Sequence, residues 1–250
     1  MGTPDIKVIT GVQRSGKSKL MESFMDWVGK NMQDANIIRI DFNMNEFESL
    51  EEYHALEAFV NKSYIPGKRN FVVIDEVQMC RGFEKAICSL HASEKYDIYI
   101  TGSNAFLLSS GLATLFTGRT FAIEVYPFSF AEFMKYYELA DPQRALSRYV
   151  KEGGMAGSYT YSTLEMKYDY IATIFNTLVI RDIKQKYRIR NMPAMERLSD
   201  FLMGNISNQT SARAIGEYFK NKKNSDQRSH PRQLHKVFMQ RFRVLQSQAL

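Results

Sequence analysis

Short apolar runs alternate with helix-type patterns through the first half of the chain. The runs are rich in β-branched residues, which is typical of strands buried in a parallel sheet; they cover residues 6–10, 36–42, 71–74, 98–100 and 120–125. Between them, apolar side chains recur at spacings of three and four, which predicts helices over residues 16–28, 49–61 and 82–92. This alternation predicts an α/β fold with a parallel sheet covered on both faces.

The first helix has a pattern of apolar residues from which we predict its buried face. Leu20, Phe24, Trp27 and Val28 fall on one side of a helix. Gly29 follows them and is a candidate C-cap, because glycine readily adopts the left-handed conformation that ends many helices.

The pattern changes after Pro127, where strand-type runs give way to helical ones. Helices are predicted for residues 128–139, 141–151, 163–186, 193–204 and 209–221. Gly153, Gly154 and Gly157 mark a loop between helical layers. The sequence therefore predicts a core of residues 1–126, a mostly helical region of residues 127–225 and a basic tail of residues 226–250.

The net charge of +6 is concentrated at the end of the chain. Residues 220–250 contain eight Lys or Arg side chains and one acidic side chain, a balance of +7, so the remaining residues sum to −1. A general electrostatic case for DNA binding is therefore weak. For Arg188, Arg190 and Arg197 a solvated helix face is the simpler interpretation.

Composition favours a folded protein of the cytoplasm. The chain has neither a basic segment followed by an apolar run at its start nor the ~18 consecutive apolar residues that span a bilayer. Its two cysteines, Cys80 and Cys88, are too few for a structural zinc site. We expect a cytoplasmic protein with no membrane partner.

The first strand leads into a loop with the sequence Gly-Val-Gln-Arg-Ser-Gly-Lys-Ser. This matches the P-loop pattern G-x-x-x-x-G-K-S/T and lies between a predicted strand and a predicted helix, the context that supports such a match. Its glycines let successive N–H groups turn toward phosphate oxygens, and the helix N-terminus adds partial positive charge. The predicted nucleotide-binding residues are Gly11, Val12, Gln13, Arg14, Ser15, Gly16, Lys17, Ser18 and Lys19.

Two of these side chains have specific predicted roles. Lys17 can reach the β- and γ-phosphates and serve catalysis, and the Ser18 hydroxyl can bind Mg²⁺. A plain surface turn is the alternative, but the strand before the loop and the helix after it argue against that. We therefore expect ATP or a close relative as the ligand, together with Mg²⁺.

A pair of carboxylates follows the buried strand of residues 71–74. Asp75 and Glu76 would lie at the carboxyl edge of the sheet, where open α/β sheets bind ligands. Asp75 is the predicted Mg²⁺ ligand, and Glu76 is the predicted acceptor of the proton of an attacking water. A helix N-cap is the alternative for Asp75, and a solvated acid is the alternative for Glu76. The adjacent pair favours hydrolysis over simple binding.

Three further polar residues are candidates for the catalytic site. Ser103 and Asn104 follow the strand of residues 98–100, where a polar side chain would sense the γ-phosphate or orient the water; a plain turn is the alternative. Arg119 could stabilise phosphoryl transfer in its own chain or in a neighbouring subunit of a homo-oligomer. A surface arginine explains Arg119 almost as well.

Together these motifs resemble the bacterial and archaeal AAA-type P-loop ATPases that carry a C-terminal domain of unknown function. The resemblance covers about residues 5–220, and Ala156 replaces a proline that is usual in the family. Besides the P-loop, the matching elements are residues 73–78, Thr101-Gly102-Ser103, Gly118-Arg119, residues 127–133, Gly153-Gly154-Met155 and Arg181-Asp182.

The resemblance implies an AAA-like P-loop core followed by a helical region with a winged-helix-like portion. The leading hypothesis is Mg²⁺-dependent ATP hydrolysis that drives or resets a conformational change. A slow nucleotide-gated switch is the alternative, with DNA or a protein as partner. A small-molecule phosphotransferase is disfavoured because the Asp75–Glu76 pair suits water as the attacking group. Family members generally continue into a further domain.

The segment from Asp226 to Leu250 has two explanations, a native basic tail for nucleic acid or a shift of reading frame. The charge balance changes there and the resemblance ends, whereas family members continue with the pattern N-Y-I/L-x-Y-L-x-x-A-F. Allowed codons for Pro231 to Gln246 can encode that pattern when they are shifted by one base. The sequence therefore predicts a frameshift. An in-frame stop after Leu250 in the source gene, with no family-like codons downstream, would exclude it.

Overall fold

The computed structural model describes residues 3–102, 116, 118–177, 191–205 and 209–221. The chain divides into two compact units between Ile174 and Phe175. Several predictions fall outside the described residues and stay predictions; they concern Ser103, Asn104, Arg181, Asp182, Arg188, Arg190 and residues 226–250.

The first unit contains a parallel sheet in the order β2-β3-β4-β1-β5, which confirms the predicted α/β class. Each predicted apolar run forms a strand whose ends differ from the prediction by two residues at most. The strands are β1 Ile6–Gly11, β2 Ala35–Asp41, β3 Arg69–Asp75, β4 Tyr96–Thr101 and β5 Thr120–Val125.

Strand β3 lies within the sheet and is buried from both faces. Phe71 and Val73 belong to one apolar cluster, and Val72 and Ile74 belong to the cluster on the other face, because successive side chains of a strand point to opposite sides. Burying a side chain of this size contributes about 1.5–3 kcal/mol. The strand that ends at Asp75 is therefore firmly anchored.

Helices α1 Lys17–Asn31, α2 Tyr53–Lys62 and α3 Phe83–Ala92 accompany these strands. The predicted helix over residues 49–61 is split, since a 3₁₀ helix covers Asn45–Leu50. Two backbone hydrogen bonds to Arg81 lie at the split. The Arg81 N–H donates to the Glu51 carbonyl at 2.6 Å, and the Tyr53 N–H donates to the Arg81 carbonyl at 3.1 Å. This distant partner interrupts the helical pattern between the two segments.

Helix α1 corrects two details of the prediction. Met21, Phe24 and Val28 pack in the cluster on the sheet, whereas Leu20 and Trp27 are exposed. Both sets have helical spacing, and only the position of the sheet decides between them. Gly29 is not the C-cap, because the helix continues to Asn31 and the Met32 N–H bonds the Val28 carbonyl.

The segment after Pro127 is helical, as predicted, with α4 Phe130–Tyr136, α5 Pro142–Glu152 and α6 Leu164–Asn176. Ser129 caps α4 and exchanges hydrogen bonds with Glu132, a capping box. Asp141 caps α5. Gly154 is required in the following loop, because a Cβ there would lie 2.3 Å from the Phe128 carbonyl oxygen.

A buried ion cluster joins α5 to α6. Glu152 and Lys167, each 5% exposed, form an ion pair of 2.5 Å. Arg148 and Tyr137 also donate to the Glu152 carboxylate, at 2.5 and 3.1 Å. Burial acts to raise the pKa of Glu152, but the hydrogen bonds from Arg148, Lys167 and Tyr137 outweigh it, and the pKa is lowered.

The second unit contains helices α7 Met192–Gly204 and α8 Ala212–Asn221 in its described part. Leu198 and Ile215 lie in its apolar cluster. Arg197 is partly buried beside the Phe219 ring, so it does not lie on the solvated face that the sequence suggested. Residues 191–205 and 209–221 contain helices and no strand, so the winged-helix-like portion stays a prediction. Within the described parts of the chain, no helix has both the length and the apolarity needed to cross a membrane.

Candidate functional site

The predicted P-loop is formed between β1 and α1, and its shape depends on Gly11. Gly11 has a φ of 151°, and a Cβ at this position would lie 2.2 Å from the Val125 carbonyl oxygen of β5. The Ser15 N–H closes the turn on the Val12 carbonyl at 3.1 Å. Arg14 has a φ of 63°, which is uncommon for a residue with a side chain. The loop is thus a tightly defined backbone structure.

Lys17 and Ser15 place buried polar groups within this loop. Lys17 is 7% exposed, and its Nζ donates to the carbonyls of Gly11 and Val12 at 3.2 and 3.1 Å. The Ser15 hydroxyl is buried and has no hydrogen-bond partner among the described residues. Buried polar atoms normally have partners. A cation and an unpaired hydroxyl at a helix N-terminus together suit an anionic ligand.

Ser18 and Lys19, the next residues of α1, differ in their surroundings. Ser18 lines a small pocket together with Asp75, so the structure brings together the two predicted Mg²⁺ ligands. The Lys19 side chain is 81% exposed and forms a surface ion pair with Glu22 at 2.6 Å. Lys19 therefore follows the loop in sequence but contributes no buried charge to it. Gln13 is also exposed.

Asp75 ends β3 and Glu76 follows it, and a residue that we did not predict holds both. The fully buried Thr101 donates its hydroxyl hydrogen to Asp75 Oδ1 and accepts a hydrogen bond from the Glu76 N–H at 3.1 Å. The Glu76 N–H also contacts Asp75 Oδ1 at 3.1 Å. Thr101 therefore fixes the Asp75 side chain and the Glu76 backbone at once.

The position of Thr101 follows from the strand order. Strand β4 pairs with both β1 and β3, so its carboxyl end lies between the P-loop and Asp75. The polar candidates predicted from the sequence, Ser103 and Asn104, follow this strand, and the last residue of the strand itself was not among them. A polar residue ending an otherwise apolar buried strand was the available signal.

The Glu76 side chain is held by a neighbour two residues later. Glu76 has φ 54° and ψ 46°, a left-handed conformation that costs an ordinary residue roughly 1–2 kcal/mol. The side-chain amide of Gln78 donates to Glu76 Oε2. Strained residues that persist are often found at functional sites.

Asp41 is a third acidic residue at this edge, and it was not predicted from the sequence. It ends β2 directly opposite Asp75 and lines the same pocket as Ser18. Its Oδ1 accepts hydrogen bonds from the Asn43 backbone and side chain, both at 3.0 Å. Its position near the end of a predicted strand was a signal, because all parallel strands end at one edge.

Arg119 is not brought together with these residues. It precedes β5, and its carbonyl accepts the Ile6 N–H at the start of β1. Because Thr120 lies opposite Ile6 and Val125 opposite Gly11, Arg119 is at the other edge of the sheet, roughly 17 Å from the loop at the rise of a strand. This geometry does not suit action within its own site, and a neighbouring subunit remains as its predicted target.

A contact joins the P-loop to the helical segment of the same unit. The Arg14 guanidinium lies over the Tyr170 ring of α6, 5.7 Å from its centroid, within the range of a cation–π interaction. A movement of the loop backbone at Arg14 would therefore alter its contact with α6.

Comparison with protein families confirms the resemblance stated from the motifs. A family model described as an AAA domain matches residues 3–134. A domain of unknown function, DUF8612, matches residues 143–242. The second match extends into the segment for which a frameshift is predicted.

Two relatives share both parts of the chain. An uncharacterized protein of Haemophilus influenzae is 31% identical over 210 residues, which cover 82% of this chain and 52% of that protein. An uncharacterized protein of Methanocaldococcus jannaschii is 26% identical over 232 residues, which cover 86% of this chain and 50% of that protein. The chain thus spans about half the length of these relatives.

Solved structures show only distant similarity. The ORC1 protein of Aeropyrum pernix in complex with DNA has a TM-score of 0.40 and 12% identity, covering 97% of this chain and 78% of its own. AMPPCP-bound DnaA of Aquifex aeolicus has a TM-score of 0.41 and 12% identity, covering 98% of this chain and 83% of its own. Similarity at this level assigns no ligand or partner to this chain.

Proposed function

The chain belongs to the AAA domain family, and we propose that it binds ATP with Mg²⁺ and hydrolyses it to drive a conformational change. The observation that carries this proposal is the arrangement of Asp75 and Glu76. The Asp75 side chain and the Glu76 backbone are fixed by Thr101, and Asp75 shares a pocket with Ser18 of the P-loop helix. A module that only binds nucleotide has no need of the second, separately held carboxylate of Glu76.

The residues present fit a nucleotide and its metal ion. The buried Lys17 ammonium and the unpaired Ser15 hydroxyl suit phosphate oxygens. Ser18 and Asp75 offer a hydroxyl and a carboxylate oxygen, the hard ligands that Mg²⁺ prefers alongside substrate phosphates and water. When bound, Mg²⁺ would neutralise charge on the phosphates.

Each side chain then has a defined task. Lys17 faces the terminal phosphates with its ammonium, and Asp75 orients the groups around the metal position through an oxygen set by Thr101. Glu76 accepts the proton of the attacking water at its carboxylate, which is general-base chemistry. The Arg14–Tyr170 contact offers a route by which the state of the loop reaches α6.

Arg119 is proposed to act on the site of a neighbouring subunit. Its place at the far edge of the sheet leaves its own site out of reach. Arg119→Ala should lower turnover ~10³-fold or more, the lower end for a transition-state arginine, and leave ATP affinity unchanged. Mixing Arg119→Ala with Lys17→Ala protein should restore part of the turnover. Unchanged turnover in Arg119→Ala alone would remove Arg119 from the site.

A slow nucleotide-gated switch is the second candidate function. The Arg14–Tyr170 contact favours it, because a switch needs only a link between the loop and another element. The two functions differ in rate, since a switch holds ATP for long periods between turnovers. DNA or a protein partner would be the target of either one.

Phosphate release from the purified chain tests the proposal. ATP and GTP would be compared, with and without double-stranded DNA and with and without Mg²⁺. We expect Mg²⁺-dependent ATP hydrolysis that falls ~10²-fold in Glu76→Gln, on the scale of general-base catalysis, while ATP affinity stays near that of the parent. Glu57→Gln, on the partly exposed face of α2, is the matched control.

Two results would contradict the proposal. If Glu76→Gln hydrolysed ATP as fast as the parent, Glu76 would not be the base. If the parent bound ATP tightly but released no phosphate under any of these conditions, the slow switch would be the better description.

A further inference from the structure

Gln78 lies beside the proposed general base in a rigid turn. It belongs to the 3₁₀ turn Val77–Met79, in which Val77 is fully buried. The Met79 N–H bonds the Glu76 carbonyl at 2.9 Å, and the Cys80 N–H bonds the Val77 carbonyl at 3.1 Å. From this turn the Gln78 side chain reaches back and donates Nε2–H to Glu76 Oε2.

The orientation of the Gln78 amide follows from chemistry. A carboxylate only accepts hydrogen bonds, so the NH₂ end of the amide must face Glu76. Gln78 Oε1 is consequently directed elsewhere; it is buried and has no hydrogen-bond partner among the described residues. A buried unpaired acceptor lowers stability. The protein therefore keeps the hydrogen bond from Gln78 to Glu76 although the unpaired Gln78 Oε1 lowers its stability.

This bond leaves the other Glu76 oxygen available. In the described part of the structure no donor reaches Glu76 Oε1, while the Glu76 backbone is held by Asp75 and Thr101. A carboxylate fixed through one oxygen presents the second in a defined direction, and a catalytic group must be oriented as well as present.

From this geometry we infer that Gln78 is a positioning residue for hydrolysis, whose amide holds the Glu76 carboxylate so that Oε1 accepts the proton of the attacking water. The inference rests on the proposed function. Among the described residues, Gln78 does not line the pocket between Ser18 and Asp75. Its loss should therefore lower turnover without weakening nucleotide binding.

The test is the Gln78→Met variant, which keeps the length of the side chain and removes the donor. Single-turnover phosphate release and ATP affinity would be measured in the full chain. We expect turnover to fall ~10- to 100-fold, the scale of a misplaced catalytic group, with affinity within about twofold of the parent. Gln143→Met, on the exposed first turn of α5, is the matched control and should keep the parent values.

A double mutant shows whether Gln78 acts through Glu76. In a Glu76→Gln background, Gln78→Met should change the remaining turnover less than about twofold, because residues that act as a unit are not additive. Equal losses in both backgrounds would overturn the inference. So would a loss confined to ATP affinity.

Further variants and outcomes keep the two proposals separate. If Gln78→Met does not fold, Gln78→Asn retains a polar amide that is one methylene too short to reach Glu76, and the same loss of turnover is expected. If the parent hydrolyses ATP and a folded Gln78 variant has the same turnover as the parent, only the role of Gln78 is overturned. A parent that binds ATP but releases no phosphate overturns both proposals.

Discussion

The candidate nucleotide site and the helical segment of residues 127–174 differ in whether their buried polar groups have hydrogen-bond partners. In the helical segment, the Glu152 carboxylate accepts hydrogen bonds from Arg148, Lys167 and Tyr137. In the nucleotide site, the Ser15 hydroxyl and Gln78 Oε1 are buried without a partner among the described residues. Arg14 and Glu76 also have positive φ there.

The difference separates a structural cluster from a site prepared for a ligand. A fully satisfied buried ion pair holds helices in a single arrangement, whereas unsatisfied atoms and backbone strain persist where a bound group completes them. One unpaired atom is not sufficient evidence, because the Ser158 hydroxyl of the helical segment is also buried without a described partner. Glu138 of the helical segment also has a positive φ, and Lys167 is also a buried cation. The nucleotide site is distinguished by having the buried Lys17 ammonium and the unpaired Ser15 hydroxyl together at a helix N-terminus.

The largest expected effect concerns stability at Glu152. Glu152→Ala should lower the free energy of unfolding by about 3–5 kcal/mol, because it leaves Lys167 buried without its anion. ATP affinity of the folded protein should stay at the parent value. Urea denaturation with nucleotide titration would measure both quantities. Glu165→Ala, at an exposed position of α6, is the control. A similarly small loss of unfolding free energy in both variants would contradict the structural role of Glu152.

The reverse pattern is expected at Lys17. Lys17→Ala should weaken ATP binding ~10²-fold, since charged hydrogen bonds contribute about 1.5–3 kcal/mol each. The free energy of unfolding without nucleotide should change by less than about 1 kcal/mol. Isothermal titration and urea denaturation would check this, with Lys30→Ala of α1 as control. Parent-like ATP binding would show that the buried ammonium does not serve phosphate.

Thr101 holds residues of the site from a fully buried position, so its substitution should lower both stability and turnover, each by an intermediate amount. Thr101→Val leaves the Asp75 carboxylate and the Glu76 N–H without their hydroxyl partner, which should cost about 1–3 kcal/mol of stability and lower turnover ~10-fold. Thr101→Ser keeps the hydroxyl and should retain most of both. If valine and serine gave the same turnover, the hydroxyl would have no role in holding Asp75.

The smallest expected effect is the pH dependence of the Glu152 cluster. Because the pKa of Glu152 is lowered in the folded state, its charge stabilises the fold above the ordinary glutamate pKa. That contribution is lost as the pH falls through the lowered pKa. The stability difference between the parent and Glu152→Ala should therefore shrink in acid, and a difference that grew in acid would contradict a lowered pKa of Glu152.

Local patterns located most of the fold and half of the site. Apolar runs gave the strands because a buried strand needs consecutive apolar residues, and the P-loop and the Asp75–Glu76 pair are contiguous in sequence. The buried face of α1 could not be chosen, because Leu20 and Trp27 have the same helical spacing as Met21 and Val28. Thr101 and Asp41 were missed, although each lies within one residue of the end of a predicted strand and is the last residue of an observed one.

Only the packed structure could show which strand ends are neighbours. The position of β4 between β1 and β3 places Thr101 against Asp75, and the pairing of β5 with β1 places Arg119 at the opposite edge. The Glu152–Lys167 pair and the Arg14–Tyr170 contact likewise join residues that are distant in sequence. Strand order and side-chain contacts depend on burial summed over the whole sheet and its helices. A local sequence pattern gives the period of one helix or strand and contains no information about which other element packs against it.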